Sequence, residues 1–444
     1  MIVTRNPATG AELHRYPTHD DDAISHIVAE TAAAARDWAA VGLDERLALL
    51  RAVGKLLTER RDEYATLITA EMGKPVAEAL AEIDKCAWNC RVVADLAPDW
   101  LADREIESDA SRSWISYQPL GVIFAVMPWN FPFWQVLRFA CAALSAGNAA
   151  LLKHSPDVTG CALAIEALFT DAGAPAGLFR SLVVEADRVP AVSARIVADP
   201  RIAAVTLTGS ERAGAAIAQA AGAALKKTVL ELGGSDPFVV LADADVAAAA
   251  AAAARSRFGN AGQSCVSAKR FIVVDTVADE FVAALLAEVP QIGPLARADL
   301  RDTVVRQIEQ SVAAGARLLT GGTPVDGPGY YLSPAVLDHV VPGMAVFTEE
   351  TFGPAAAVIR ARDDDHAVEL ANDTDFGLGC SVWGTPDHAL AVGRRIRSGA
   401  LFVNAPVASD PRLPFGGVGR SGYGRELSAE GVREFTNIRT VVIA

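Results

Sequence analysis

The stretch Ala203-Ala204-Val205-Thr206-Leu207, followed by Thr208-Gly209-Ser210-Glu211, runs from a strand-like segment into a turn of small residues. The residues after this turn, from Arg212 to Leu225, are typical of a helix because alanine dominates them. Parallel strands need a long crossover between them, and that crossover is usually a helix. The stretch therefore predicts a unit of a parallel α/β sheet.

Similar β-rich runs alternate with alanine-rich helical segments on both sides of this stretch. The first series comprises Val122–Val126, Ala149–Lys153, Ser181–Val184, Ala203–Leu207 and Val229–Leu230. The second series comprises Pro237–Leu241, Arg270–Val274, Ala355–Arg360, Ser381–Trp383 and Ala400–Asn404. Two α/β domains are the simplest interpretation of the two series.

The two ends of the chain carry different patterns. From Asp20 to about Ala102, apolar residues recur three and four positions apart, which predicts a layer of helices. The run from Arg439 to Ala444 is strand-like and would leave unpaired edges. We therefore expect pairing with another subunit, in a homodimer or a homotetramer.

Composition argues against several kinds of partner. The chain has 444 residues, a net charge of −14 and no block of lysine or arginine, so we expect no nucleic acid. Every long apolar stretch is interrupted before the roughly 20 residues that a membrane helix needs. The first residues lack the basic-then-apolar order of a signal peptide. We expect a cytoplasmic protein with no membrane partner.

The six cysteines are sparse for a chain of this length. Free thiols are the default in a cytosolic protein, so we expect no structural disulfide. Cys86 and Cys90 lie four positions apart on a helical stretch, but no nearby Cys or His pair completes a metal site. We expect buried thiols there and no bound metal.

Two segments are candidates for binding a dinucleotide. The residues from Gly417 to Gly422 match the GxGxxG pattern, but that fingerprint requires a preceding strand and a βαβ unit, and this segment follows Pro414-Phe415. A glycine-rich turn is the better interpretation. Gly209 and Ser210 open a helix whose N-terminus would attract phosphate, or Ser210 simply caps that helix.

Three polar residues are candidates for chemistry. Cys265 lies in the polar segment Asn260–Cys265 between a helix and a strand; it is either a packing cysteine or an exposed nucleophile with a lowered pKa. Glu231 leaves an apolar strand beside two glycines. It is either a general base with a raised pKa or a carboxylate satisfied by a salt bridge or by backbone N–H groups. Asn130 lies between two prolines, as an ordinary turn residue or as a rigid donor to an oxyanion.

Six motifs in order resemble those of the aldehyde dehydrogenase superfamily. They are Pro128-Trp129-Asn130-Phe131-Pro132, Thr208-Gly209-Ser210, Glu231-Leu232-Gly233-Gly234, Gly262-Gln263-Ser264-Cys265, Glu349-Glu350-Thr351-Phe352-Gly353-Pro354 and Pro414-Phe415-Gly416-Gly417. Three others are most similar to succinate-semialdehyde dehydrogenases: Leu152-Lys153-His154-Ser155-Pro156, Gly233-Gly234-Ser235-Asp236-Pro237 and Ser421-Gly422-Tyr423-Gly424-Arg425-Glu426.

The resemblance implies oxidation of an aldehyde, most simply succinate semialdehyde, with NAD or NADP. It implies that Cys265 attacks the carbonyl carbon, that Asn130 and the Cys265 backbone N–H hold the oxyanion, and that Glu231 activates water to hydrolyse the thioester. It also implies a set of cofactor contacts. These are Trp129, Lys153, Ser155, Gly209, Ser210, Leu232, Glu350 and Phe352. A dehydrogenase for another small aldehyde, a CoA-acylating enzyme and a non-catalytic binding protein of the same fold are the alternatives.

Departures from the family pattern concern the cofactor and the substrate. Pro156 replaces a glutamate that NAD-preferring relatives often carry three residues after the lysine, so NADP is slightly favoured over NAD. Arg138 matches an arginine that binds the substrate carboxylate, or it is a surface arginine on an apolar helix. A second arginine of some relatives is replaced by Gly259, for which Ser409 and Arg412 are candidate compensations.

The resemblance also implies an aldehyde dehydrogenase-like fold with two Rossmann-type α/β domains and a small β oligomerisation segment. We expect a cofactor-binding domain from residues 1–100 and 120–233, a catalytic domain from residues 234–435, and an oligomerisation segment from residues 101–119 and 436–444. The segment from Glu288 to Leu295 is shorter than is usual for the family.

Overall fold

The computed structural model describes residues 1–444 and begins with a small hairpin and a layer of helices. These elements are β1 (Ile2–Arg5), β2 (Glu12–Tyr16), α1 (Asp21–Ala39), α2 (Leu43–Glu59), α3 (Arg61–Met72) and α4 (Val76–Trp100). The Asp20 side chain caps α1 by accepting a hydrogen bond from the Ala23 N–H, and Gly73 ends α3 with a φ of +83°. The predicted helical layer is confirmed.

The first parallel sheet follows. Its region contains β3 (Arg104–Glu105), β4 (Arg112–Pro119), β5 (Val122–Met127), α5 (Trp134–Ser145), β6 (Ala149–His154), α6 (Thr159–Asp171), β7 (Phe179–Ser181), α7 (Val189–Ala198), β8 (Ile202–Thr208), α8 (Glu211–Ala223) and β9 (Lys227–Glu231). The parallel strands lie in the order β9-β8-β5-β6-β7. The predicted run Ser181–Val184 starts too late, because β7 ends at Ser181.

The second sheet is also parallel except at one edge. Its elements are β10 (Pro237–Val240), α9 (Val246–Phe258), β11 (Arg270–Val274), α10 (Asp275–Ala287), α11 (Ala298–Ala313), β12 (Arg317–Thr320), β13 (Ala335–Asp338), α12 (Ala345–Thr348), β14 (Ala355–Ala361), α13 (Asp364–Asn372), β15 (Gly379–Trp383), α14 (Pro386–Gly393) and β16 (Ala400–Val403). The order is β12-β13-β14-β11-β10-β15-β16, with β12 antiparallel to β13. β12 and β13 were not predicted from the sequence.

The C-terminal residues return to the first sheet. They form β17 (Gly422–Tyr423), α15 (Ser428–Glu434) and β18 (Thr436–Ile443), and β17 pairs antiparallel with β9. Phe415, Leu427 and Phe435 pack in the same apolar core as the first sheet. The last residues of the predicted catalytic range 234–435 therefore pack against the first sheet and not against the second.

A third sheet stands apart from the two α/β units. It has the order β18-β4-β3, and β18 is paired antiparallel with β4 along its whole length. Ile438 and Val442 of β18 are more than half exposed. These strands come from the two segments predicted to form the oligomerisation unit, and β18 lies at the edge of the sheet.

The strands of the parallel sheets are continuous apolar runs in the sequence because both of their faces are buried. All six residues of β6 are buried, as are all five of β11, because helices cover both faces of each sheet. All six cysteines are free, and Cys86 and Cys90 are buried as predicted. The helices contain no segment that is both long enough and apolar enough to span a membrane.

Candidate active site

The carboxyl ends of the first parallel strands bring several predicted site residues to one edge of the sheet. Asn130 follows β5, Lys153 lies at the end of β6, and Gly209 and Ser210 follow β8. Glu231 is the last residue of β9. Ligands of open α/β sheets bind outside this edge, because the strand ends and the helix N-termini converge there.

Cys265 reaches the same region on a tightly wound loop. Asn260 and Ala261 both have a φ of +52°, and Gly262 has a φ of +73°. Left-handed backbone costs about 1–2 kcal/mol for a residue with a Cβ, so packing around the loop must compensate. A Cβ on Gly262 would lie 2.4 Å from the backbone oxygen of Gly353. The glycine is thus required by the contact as well as by its φ.

Two buried cations that the sequence analysis missed hold this loop. The Arg257 guanidinium donates to the backbone oxygens of Gly262 and Thr351, both at 3.1 Å. The Lys269 ammonium donates to the Cys265 backbone oxygen at 2.7 Å. Because Arg257 lies near the end of α9 and Lys269 directly precedes β11, the loop is held from both of its ends.

The Cys265 side chain opens into a cavity of about 740 Å³. The walls come from α4, α5, the cysteine loop, the segment from Glu288 to Ile292 and the segment from Pro406 to Ser409. The segment predicted to be short therefore borders this cavity. Gly234 lies close to the cysteine, since a Cβ there would be 2.9 Å from the Cys265 backbone oxygen.

The Asn130 side chain is held rigidly against the cysteine loop. Its Nδ2 donates to the Gln263 backbone oxygen at 3.0 Å, and its backbone oxygen accepts from the Asn260 side chain at 3.0 Å. Asn130 is 3% exposed, so these contacts leave it little freedom. These contacts agree with the rigidity predicted from the flanking prolines, and one N–H of the amide has no hydrogen-bond partner.

The Cys265 thiol does not have the lowered pKa that a nucleophile was expected to show. Burial raises its pKa to about 11, and the positive charges of Arg138 and Lys269 oppose this effect. The negative charges of Glu231 and Glu350 add to it.

Glu231 is a buried carboxyl group with unused oxygens. It is 2% exposed, and neither oxygen has a hydrogen-bond partner. Burial, followed by the charge of Glu426, raises its pKa well above the ordinary value, while Arg138 acts in the opposite direction. The direction of this shift agrees with the raised pKa predicted for this position, and neither a salt bridge nor a backbone N–H satisfies the carboxylate.

Arg138 faces the cavity from α5 but already has an anionic partner. Its guanidinium forms an ion pair with Glu426, and both side chains are at most 2% exposed. A second nitrogen donates to the Thr208 hydroxyl at 3.3 Å. The interpretation as a surface arginine is wrong, because an apolar helix and the C-terminal segment enclose the side chain.

The structure places only one of the other two predicted substrate residues at the cavity. Ser409 lines the cavity, whereas Arg412 does not. The Arg412 side chain is 61% exposed and forms an ion pair with Asp410 at 2.6 Å. The prediction that Arg412 compensates within the pocket is therefore wrong. Lys85, which the sequence analysis missed, lines the cavity and donates to the Ser409 hydroxyl at 2.7 Å.

The predicted cofactor residues form two groups. The Trp129 and Phe352 rings meet edge to face at 5.8 Å between centroids, which joins the two α/β units. Ser210 and Glu350 line a second cavity, where Glu350 accepts from the Gly234 N–H at 3.0 Å. Ser210 also caps α8 by accepting from the Ala213 N–H, so that interpretation is confirmed.

Lys153 and Ser155 lie at the end of β6. The Lys153 side chain is 7% exposed, and burial lowers the pKa of its ammonium to about 8. It forms no ion pair within the chain, so a buried cation is left for an external anion or hydroxyl group. Ser155 donates to Asp157 at 2.9 Å, and Arg297 neutralises that carboxylate from the other side.

The GxGxxG segment is a glycine-rich turn, as predicted. Residues Gly419–Ser421 form a short 3₁₀ helix and lead directly into β17. The Ser421 hydroxyl donates to the Gly233 backbone oxygen at 2.7 Å, and its backbone oxygen accepts from the Leu232 N–H at 3.0 Å. The turn therefore supports the loop after Glu231.

Comparison with known proteins identifies this arrangement. Residues 1–441 match the model of the aldehyde dehydrogenase family. The chain belongs to the aldehyde dehydrogenase family. The predicted superfamily, α/β fold and class of NAD(P)-dependent oxidoreductase are thereby confirmed.

Its relatives among the aldehyde dehydrogenases include enzymes named for one substrate. The chain is 47% identical to the succinate semialdehyde dehydrogenase (NAD(P)+) of Escherichia coli, over 99% of this chain and 97% of that protein. It is 45% identical to the succinate-semialdehyde dehydrogenase (NADP+) 1 of Mycobacterium tuberculosis, over 100% of both. A crystal structure of the Streptococcus pyogenes succinic semialdehyde dehydrogenase with NADP+ has a TM-score of 0.96 and 36% identity, and the match covers 100% of both chains.

The residues of this aldehyde dehydrogenase fit a dinucleotide at the edge of the first sheet. The unpaired Lys153 ammonium suits a ribose hydroxyl or phosphate, and the N-terminus of α8 suits a pyrophosphate. Glu350 presents a carboxylate beside Gly233-Gly234, which is an acceptor of the kind that ribose hydroxyls need. The side chains present thus match the donor and acceptor groups of NAD(P).

Proposed function

We propose that this protein oxidises succinate semialdehyde to succinate and reduces NADP+, with NAD+ as the weaker cofactor. The observation that carries the proposal is the shared cavity, because Cys265, Arg138 and Lys85 all line it. The substrate names of relatives at 45–47% identity support the same reaction.

In this proposal, the Cys265 sulfur attacks the carbonyl carbon of the aldehyde. The proton of the thiol passes first to water in the cavity, and the positive charges of Arg138 and Lys269 favour the thiolate. The free N–H of Asn130 and the backbone N–H of Cys265 donate to the oxyanion that develops. The bound nicotinamide supplies the acceptor for the hydride, and a thioester remains on Cys265.

Glu231 then acts as the general base for hydrolysis. Its raised pKa allows it to take a proton from water near neutral pH, provided that the side chain turns from its buried position toward Cys265. Gly416 leaves room for the carboxyl group, because a Cβ there would lie 2.7 Å from a Glu231 oxygen. Water attacks the thioester carbon, and the Cys265 thiolate leaves.

The predicted cofactor contacts complete the proposal. Trp129, Gly209, Leu232 and Phe352 would border the dinucleotide, while Ser210, Lys153, Ser155 and Glu350 would donate to it or accept from it. The preference for NADP+ rests on Lys153, Ser155 and Pro156. An unpaired cation beside a hydroxyl group suits a 2′-phosphate, and no carboxylate follows at position 156 to repel it.

We place the enzyme in the cytoplasm as a homodimer or homotetramer. The six free thiols suit a reducing compartment. The exposed edge of β18, with Ile438 and Val442 outward, would pair with another subunit. We assign cofactor binding to residues 1–100 and 120–233, and catalysis to the second sheet from residue 234 onward.

Absorbance at roughly 340 nm, the band of the reduced nicotinamide, tests the reaction. Purified enzyme is assayed with succinate semialdehyde and with butanal, using NAD+ and NADP+ separately. We expect succinate semialdehyde with NADP+ to give the highest kcat/KM. A preference for butanal would refute the substrate and keep the enzyme class.

A trapping experiment tests the roles of Cys265 and Glu231. The Glu231→Gln variant is incubated with succinate semialdehyde and NADP+ and analysed by intact-mass spectrometry. We expect one burst of NADPH and an acyl adduct on Cys265, because the amide cannot accept the proton of water. Steady turnover without an adduct would remove Glu231 from the hydrolysis step.

A further inference from the structure

Lys85 is a cation of the substrate cavity that no motif of the sequence indicates. It lies on the face of α4 that borders the same cavity as Cys265. Its ammonium donates to the Ser409 hydroxyl at 2.7 Å and lies 4.5 Å from the centre of the Trp134 ring. Two of its three N–H groups remain without a hydrogen-bond partner.

The nearest carboxylates on the same side of the cavity do not neutralise Lys85. Glu82, one turn earlier on α4, accepts from the backbone N–H groups of Phe133 and Trp134 and forms an ion pair with Lys74. Asp410 has its own partner in Arg412. Lys85 itself forms no ion pair, so its positive charge is available to a ligand.

The other cations of the cavity differ from Lys85 in this respect. Arg138 is paired with Glu426, and the two charges offset each other. Arg255 is exposed on the cavity wall, where water and salt screen its charge. Lys85 combines partial burial, a free charge and a neighbouring hydroxyl group, which are the properties of a carboxylate site.

We propose that Lys85, together with the Ser409 hydroxyl, binds the terminal carboxylate of a short aldehyde acid whose carbonyl group lies against Cys265. This inference rests on the proposed function and deepens it, since it names the residue that selects a carboxylated substrate. The carboxylate would replace the missing anionic partner of the ammonium. In this arrangement Arg138 does not bind the substrate carboxylate. Its ion pair with Glu426 holds the wall of the cavity in place.

Partial burial gives this site a pH dependence. Burial lowers the pKa of Lys85 to about 8, and the charge of Arg138 on α5 contributes in the same direction. Cys86 and Glu82 on α4, and Asp410 on the facing loop, act in the opposite direction. Lys85 loses its charge above that pH, so the KM for the aldehyde acid should rise there. The KM for an uncharged aldehyde should not follow the same curve.

The test compares Lys85→Met with two matched variants of the full-length enzyme. Lys85→Arg keeps the charge, and Arg255→Met removes an exposed cation from the same cavity. For each variant, kcat and KM are measured with succinate semialdehyde and with butanal, which has the same chain length. We expect the ratio of the two kcat/KM values to fall about 100-fold in Lys85→Met, mainly through KM. We expect Lys85→Arg to retain most of the ratio and Arg255→Met to leave it within about threefold.

A second measurement separates this inference from the proposed reaction. Succinate is used as an inhibitor of butanal oxidation, so the readout holds even if succinate semialdehyde is a poor substrate. We expect the inhibition constant of succinate to rise at least tenfold in Lys85→Met. An unchanged inhibition constant with an unchanged substrate ratio would overturn the role of Lys85. A poor wild-type rate with succinate semialdehyde, combined with a raised inhibition constant, would refute only the proposed substrate.

Discussion

Replacing Arg138 by methionine tests whether this arginine is primarily a structural partner of Glu426. Methionine keeps much of the apolar volume but removes the charge, and Glu426 remains enclosed at 1% exposure. The loss of one member of a buried pair costs about 3–5 kcal/mol, because the remaining charge has no compensation. Glu426 can relieve part of this cost by binding a proton, since burial already raises its pKa. We therefore expect the lower end of the range.

The predicted loss is large enough to measure by melting. A destabilisation of about 3 kcal/mol corresponds to a fall in Tm of roughly 6–12 °C for domains of this size. Arg306→Met is the matched control, because its pair with Glu349 is 44% and 42% exposed and should contribute less than about 1 kcal/mol. The double variant Arg138→Met/Glu426→Gln should recover at least half of the loss, since no buried charge remains.

Melting curves and kinetics are measured for the wild type, Arg138→Met, Arg306→Met and Arg138→Met/Glu426→Gln. They show whether Arg138 is mainly structural or binds the substrate. A Tm within about 2 °C of the wild type for Arg138→Met would refute the structural assignment, by the scale used above. So would a defect confined to the KM of succinate semialdehyde, because that pattern belongs to a residue that binds the substrate carboxylate directly. We expect butanal and succinate semialdehyde to be affected alike.

Three further predictions concern the cysteine loop, the cofactor and the base. Gly262→Ala should lower the rate of aldehyde oxidation at least tenfold, since left-handed backbone alone costs about 1–2 kcal/mol; initial rates measure this, and full activity would contradict it. Pro156→Glu should shift the NADP+ to NAD+ ratio of kcat/KM by about tenfold toward NAD+, because a carboxylate near Lys153 repels the 2′-phosphate; an unchanged ratio in cofactor titrations would argue against this position. Glu426→Gln should lower the pKa of Glu231, because a neighbouring negative charge is removed; the acidic limb of the kcat profile should then move to lower pH, and movement to higher pH would disprove the coupling.

The sequence predicted the fold well wherever strands are buried on both faces. Runs such as Arg270–Val274 match the structure residue for residue, because a continuous apolar segment between alanine-rich helices has few other interpretations. β12 was missed for the opposite reason. β12 is an exposed edge strand with an arginine and a threonine among four residues, so its pattern does not differ from that of a loop.

The candidate site was predictable where local chemistry is unusual and hidden where it depends on distant contacts. Asn130 between prolines and Glu231 at a strand end carry local signals. The hydrogen bond of Asn130 to the cysteine loop and the burial of Glu231 agree with those signals. Lys85 has no such signal, because a lysine on an amphipathic helix is typical of a solvated face. Only the packing of α4 against α5 and the loop of Ser409 turns it toward the cavity.

Glu231, Glu426 and Arg138 together explain how a carboxyl group can serve as a base and yet stay buried. The cluster holds two carboxyl groups and one guanidinium, so the arginine can neutralise only one acid at a time. Its ion pair is with Glu426, which leaves Glu231 without a hydrogen bond and with a raised pKa. Glu231 is therefore buried with no partner for a negative charge, which disfavours its ionised form. Its ionised form is favoured only when the side chain moves toward water in the cavity, and this is where a base is needed to hydrolyse a thioester on Cys265.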